Sequence, residues 1–439
     1  MTDAASPAPA TAVPRLSFHL TAGGWVNDPL GLTHRGDGYH VFYQHVPGST
    51  AWDLGCRWGH ATSPDLLRWA EQPVALEPGD GDGGCWSGSV AVPTDGGPAV
   101  LFYTSVNLPN LDLGRARVAH PLDDAWTAWA KGDVVALPPD EPGLTVFRDP
   151  CVFRDGEVWR MLVGGAFADG TATALAYRSG DLASWTYEGL FLSRHTSETD
   201  GAWTGKGWEC PQLLAVDDAH VLVFSVWEPE AIRDVACAVG AYADDRFTPG
   251  AWQQLAFGGH YAASAFHDAD GRPGLIFWIR DVGDPSAGWE GALSVPYLLS
   301  AADGVARLAP HPGLEARRVP PGADGDAALD VEWTPALAPT LTVRAAGDDD
   351  GAPVVSLTSG PGWVEAVTAP AGDRPGRTLR VPRDDAPVRV VLDGPVLELC
   401  TGLGVAGAQV VAPAAGVRVD ADGAAGVRVW AVRDVAATS

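Results

Sequence analysis

The sequence predicts an all-β protein: a propeller-like array of short strands followed by a second all-β unit, most simply a sandwich. Three observations carry this. Short runs rich in Val, Tyr, Phe and Trp recur from Leu16 to Leu299; one turn phrase occurs twice; and composition changes at Pro310–Asp326.

The strand signature is clearest in Tyr39–Gln44, Val100–Thr104, Val158–Val163, Val221–Trp227 and Leu275–Ile279, each bounded by Gly, Pro or Asp. No amphipathic stretch of three helical turns interrupts them, and 53 glycines and 36 prolines supply turns. Ser63–Trp69 (SPDLLRW) and Ser179–Trp185 (SGDLASW) share a Ser-x-Asp-Leu-x-x-Trp phrase, the kind of internal echo a propeller leaves. The Pro/Gly/Ala/Asp stretch before residue 327 reads as a linker. Beyond it, Thr340–Arg344, Val388–Leu392 and Val396–Leu399 alternate as sandwich strands do. The expected organisation is a tail at 1–15, a catalytic propeller at 16–310, a linker at 311–326 and a sandwich at 327–439.

At 439 residues the chain suits two or three domains, and a hydrophobic fraction of 46% permits a sizeable core. A formal net charge of −26 disfavours nucleic acid and anionic membrane as partners, and disfavours a phosphorylated substrate unless arginines cluster locally. The 18 tryptophans exceed what packing needs, and sugar stacking competes with core packing as the reason. Met1–Pro14 lacks the basic and apolar regions of a secretory leader, and no window approaches a membrane span, so a cytoplasmic location is expected. Six cysteines without CxxC spacing point to free thiols rather than zinc or a disulfide framework. Oligomeric state is not readable.

Three acidic motifs carry the chemistry. In Trp25-Val-Asn27-Asp28-Pro29 the proline biases Asp28 to extended backbone, compatible with a site carboxylate or an Asx turn. In Phe147-Arg148-Asp149-Pro150 the arginine can hold Asp149 as an anion and lower its pKa, or form a surface pair of little value. In Trp208-Glu209-Cys210-Pro211 the apolar neighbours would raise the pKa of Glu209, as a general acid requires, although Glu beside Trp at a strand edge is unremarkable alone.

In order and content the three motifs resemble those of glycoside hydrolase family 32, the invertase, levanase and inulinase group. The likeness extends to Tyr39–Gln44 with Trp52 and Trp58-Gly59-His60-Ala61, to Trp86-Ser87-Gly88-Ser89, and to Trp278 with Gly288–Pro296. A weaker likeness reaches Asp393–Leu399, so it covers about Leu16 to Val432.

The resemblance implies a five-bladed propeller with the site in its central funnel, joined to a β-sandwich. It implies Asp28 as nucleophile, Glu209 as acid/base and Asp149 as transition-state stabiliser, with Asp28 and Glu209 facing each other at roughly 5–5.5 Å. Asn27, Gln44, Trp52, Trp86, Ser87, Arg148 and Trp278 are the expected substrate contacts. No metal or organic cofactor is called for. The expected reaction releases β-D-fructose from sucrose or short fructo-oligosaccharides, with sucrose-6-phosphate hydrolysis or fructosyl transfer as variants. A non-catalytic fructan-binding protein is the alternative of another class; retention of all three carboxylates argues against it. Two departures stand out. Leu30 replaces a customary Asn, and no carboxylate lies between Ala256 and Ser264, where relatives place an Asp for the leaving sugar. His260 is either a substitute hydrogen-bonding group there or a structural histidine.

Overall fold

The computed structural model describes residues 16–433 apart from 37, 95, 230, 348–351 and 422–423. The expected tail at 1–15 and the last residues of the second unit lie outside the described residues. Helical structure among the described residues is limited to two short 3-10 turns, Glu315–Arg317 and Ala424–Gly426; the protein is all-β.

Up to Pro310 the chain forms successive antiparallel sheets, each wound outward from its first strand. Three are separate four-stranded sheets, beginning with Gly84–Ala91, Leu144–Asp155 and Gly207–Val216. A nine-stranded sheet holds the rest. It joins the four strands that begin at Gly24–Arg35 to the group that begins at His260–His267. The first strands pack side by side in chain order, and His260–His267 returns against Gly24–Arg35, so the ring closes. Sheets of four strands arranged this way fit a propeller.

The seam is the short strand Trp289–Leu293. It runs antiparallel to Pro273–Asp284 and parallel to Gly24–Arg35, pairing Gly24 with Trp289. Gly291 is required there: its φ is +82°, and a Cβ would fall 1.9 Å from the Val26 carbonyl oxygen.

All five apolar runs seen in the sequence lie in the second strand of their group. A second strand is flanked by neighbours in its own sheet and covered on both faces by adjacent sheets, hence its continuous apolar character. The repeated phrase also occupies one place in two sheets, the turn that follows the third strand. Asp65 accepts the N–H groups of Leu67 and Arg68, and Asp181 those of Ala183 and Ser184. Leu66 and Leu182 share a left-handed backbone, φ 68° and 65°.

The stretch 311–326 contains the 3-10 turn and a two-residue strand, Arg318–Val319, paired with Val427–Val432. That short strand is one of six in the first of two antiparallel sheets that follow; the second has five. One apolar core that includes Leu329, Trp333, Leu341, Leu357, Val390 and Leu399 joins them.

A buried charge cluster binds this unit to the ring. His19 contacts Asp393 at 3.0 Å and Glu398 at 2.7 Å; His260 and Tyr297 reach the other Glu398 oxygen at 2.6 and 2.8 Å. His260 is fully buried in this cluster and does not line the central cavity, so of its two readings the structural one holds.

Candidate active site

At the centre of the ring the first strands share one irregularity. The ladder register slips at Asn27–Asp28, Ser87, Asp149–Pro150, Cys210–Pro211 and Ala262–Ala263. Each slip is a β-bulge, which kinks the strand and re-aims side chains. Asp149, Cys210 and Ala262 take positive φ of 64°, 48° and 46°, a conformation that non-glycine residues adopt only where the surroundings enforce it. Proline lacks the N–H that a ladder needs, so Pro150 and Pro211 sit where the ladder is already broken.

The bulges deliver side chains into a cavity of about 340 Å³. Asn27, Asp28, Gln44, Trp52, Trp86, Ser87, Arg148, Asp149, Glu209 and Trp278 all line it. Trp25, Trp227, Ile232 and Tyr261 line it too and were not among the expected contacts. Two had visible cues: Trp25 opens the first acidic motif, and Trp227 ends an apolar run. Tyr261 lay in a segment notable only for its missing carboxylate, and nothing in the sequence marks Ile232.

Both carboxylate oxygens of Asp28 accept hydrogen bonds, Oδ2 from Ser87 Oγ at 2.6 Å and Oδ1 from Asn27 Nδ2 at 2.9 Å. Trp25 Nε1 donates to Asn27 Oδ1 at 2.8 Å, which fixes the amide's orientation. Gln44 is tied to the Cys85 carbonyl at 2.9 Å. Thr104 Oγ1 donates to the Ser87 carbonyl and accepts from the Asp149 N–H, coupling the strands that carry Asp28's partner and Asp149.

Arg148 corrects an expectation. Its Nη2 lies 2.6 Å from Glu209 Oε1 and its Nη1 3.3 Å from Asp112 Oδ1, while Asp149 instead accepts the Cys210 N–H at 3.2 Å. Both side chains enter the cavity at the bulge, but the guanidinium turns to Glu209 on another sheet, so adjacency in sequence did not make the pair. The Asp149 carboxyl is raised, not lowered: burial and the charge of Glu209 outweigh the field of Arg148. Burial also raises Glu209, against the opposing effects of Arg148 and of a hydrogen bond from Tyr261 OH at 2.5 Å. Asp149 and Glu209 share the field of Arg148, which lowers both, and that of Asp28, which raises both.

Aromatic faces complete the wall. Arg148 lies over Trp227 at 5.0 Å and Trp86 at 5.8 Å; Trp278 meets Trp25 edge-on at 5.8 Å. Trp52 is 50% exposed at the mouth, edge-on to Trp86. Leu30 packs in an apolar cluster with Phe42, Trp58 and Leu101. Carboxylates, indole faces and one cation in a single cavity suit a polyhydroxylated ring and proton transfer across it.

A model of the glycosyl hydrolases family 32 N-terminal domain matches residues 19–312. The chain is 32% identical over 311 residues to the sucrose-6-phosphate hydrolase of Escherichia coli, covering 65% of this chain and 62% of that protein. It is 34% identical over 325 residues to the β-fructofuranosidase insoluble isoenzyme 7 of Oryza sativa subsp. indica, covering 64% and 52%. The chain thus spans between about half and two thirds of the length of these curated relatives. Among solved structures it is similar to the Bombyx mori GH32 β-fructofuranosidase, with TM-score 0.79 and 22% identity over 97% of this chain and 94% of that one. It is also similar to fructan 1-exohydrolase IIa of Cichorium intybus, with TM-score 0.77 and 19% identity over 96% and 98%.

Proposed function

The chain belongs to glycoside hydrolase family 32, and from that premise we propose that it is a retaining β-fructofuranosidase releasing terminal β-D-fructose from sucrose or short fructo-oligosaccharides. One observation carries this. Asp28, Asp149 and Glu209, from three separate sheets, line a single cavity about one arginine.

The division of labour follows from chemistry. Asp28 attacks the anomeric carbon while Glu209 gives its proton to the departing glycosidic oxygen. Water then attacks that carbon and gives a proton to Glu209, the ester to Asp28 breaks, and fructose leaves. Asp149 accepts hydrogen bonds from fructosyl hydroxyls and steadies the positive charge of the transition state. Burial favours the protonated form of Glu209, the form that donates. Asn27, Gln44, Trp52, Trp86, Ser87, Arg148 and Trp278 hold the sugar.

The ring reads as five blades with the seam strand closing first on last, and the two later sheets read as a β-sandwich. The units run 16–310 and 327–439, joined by 311–326. Six free cysteines support a cytoplasmic protein; among the described residues no helix is long and apolar enough to cross a membrane.

Charge at the mouth favours an unphosphorylated leaving sugar. Arg148 is the one cation among the described cavity-lining residues, and it is shared by Glu209 and Asp112. Lys206 and Arg233, beside Ile232, both lean on Glu228. The test is sugar release from sucrose, 1-kestose, levanbiose and sucrose-6-phosphate, with products resolved by chromatography. Fructose from the first three in preference to the fourth is expected, and longer products would indicate transfer. Silence on all four from folded protein would overturn the hydrolytic reading.

A further inference from the structure

We propose that Arg280 is a positioning residue that holds the leaving-group wall of the cavity and, through Tyr261, the acid/base Glu209. It rests on the hydrolytic reading above.

Arg280 lies in the strand Pro273–Asp284, two residues after Trp278, where the ladder slips before Gly283, and both side chains meet the Tyr261 ring. Trp278 lines the cavity and Arg280 does not. Its guanidinium donates to two consecutive backbone carbonyls, Nη1 to Ile232 at 3.2 Å and Nη2 to Arg233 at 2.9 Å. Its Cζ stands 5.5 Å from the centroid of the Tyr261 ring. One side chain therefore clamps the backbone that presents Ile232 to the cavity and backs the ring whose hydroxyl holds Glu209.

Asp281 and Asp234 attract the guanidinium only at longer range. Asp281 is held by Arg377 at 2.5 Å, and the Asp234 carboxyl, raised by burial, takes the Gly258 N–H. Arg280 forms no ion pair with either. A planar fork suits two adjacent carbonyls, and a lysine cannot reproduce it. Loss of the fork hands these exposed carbonyls to water, loosens the segment that presents Ile232 and frees the Tyr261 ring from one side. Because Glu209 is the group that protonates the leaving alcohol, the loss should fall on substrates that need that proton.

The experiment compares wild type, Arg280→Met and Arg280→Lys on sucrose and on β-fructosyl fluoride, whose fluoride departs without a proton. Amide hydrogen exchange at residues 231–235 is read on the same samples. The expected result for Arg280→Met is a drop in kcat on sucrose of roughly tenfold to a hundredfold, the cost of a small misplacement. Initial fluoride release should be nearly spared and exchange at 231–235 faster, with Arg280→Lys intermediate in both. Equal losses on both substrates, or an unchanged rate on sucrose, would overturn the assignment, as would unchanged exchange. A wild type silent on both substrates would sink the hydrolytic reading itself, while exchange still decides whether Arg280 holds the wall.

Discussion

Nη2 of Arg148 lies 2.6 Å from Oε1 of Glu209. The candidate acid is therefore paired with a cation, yet burial still raises its pKa. The same guanidinium lies between Trp86 and Trp227 and reaches Asp112. Arg148→Lys keeps the charge but loses the fork, so kcat should fall roughly tenfold or more, with the fold intact by circular dichroism. An unchanged rate would make the pair merely structural.

Tyr261 gives a prediction in pH. Its hydroxyl donates to Glu209 and favours the charged carboxylate, which lowers the Glu209 pKa against the effect of burial. Tyr261→Phe removes that donor, so Glu209 keeps its proton to higher pH. The basic limb of the kcat profile should move to more alkaline pH while kcat itself falls. A limb that stays put or moves to lower pH contradicts this.

Asp28→Asn and Glu209→Gln should each reduce kcat on sucrose by several orders of magnitude, on the order of 10³-fold or more, without changing the melting temperature greatly. Wild-type turnover in either would remove that residue from the mechanism.

The buried cluster between the two units predicts a stability profile. His19 is raised to about 9, because its bonds and ion pairs with Asp393 and Glu398 outweigh its desolvation. Its contribution is full below about 6.5 and is lost as pH climbs through about 9. Asp393 and Glu398 are depressed, chiefly by His19, so their contribution is present above the ordinary carboxylate range and lost as pH falls through the depressed values. Calorimetric Tm should fall on both sides of a mildly acidic plateau. Glu398→Gln should cost about 3–5 kcal/mol at pH 6 and flatten the alkaline slope.

Much of this was legible for identifiable reasons. The second strands showed themselves because they are covered on both faces. Fourth strands such as Trp129–Ala136 and Thr186–His195 are half exposed and carry no comparable apolar run. The three acidic motifs stood out because Pro29, Pro150 and Pro211 mark the bulges that aim the carboxylates. Partnerships were not legible: Arg148 pairs across sheets with Glu209, and His260 with Glu398, which no local pattern encodes. Ile232 reaches the cavity from a later strand of its sheet, and only the folded ring brings it there.

If Asp28 is the nucleophile it forms a bond to the fructosyl carbon, and that bond can be trapped. Glu209→Gln should be loaded with β-fructosyl fluoride, quenched in acid, digested and mapped by mass spectrometry. A single hexosyl adduct is expected on the peptide bearing Asp28, absent in the Asp28→Asn, Glu209→Gln double variant. An adduct on another residue, or fluoride release with no adduct at all, would contradict it.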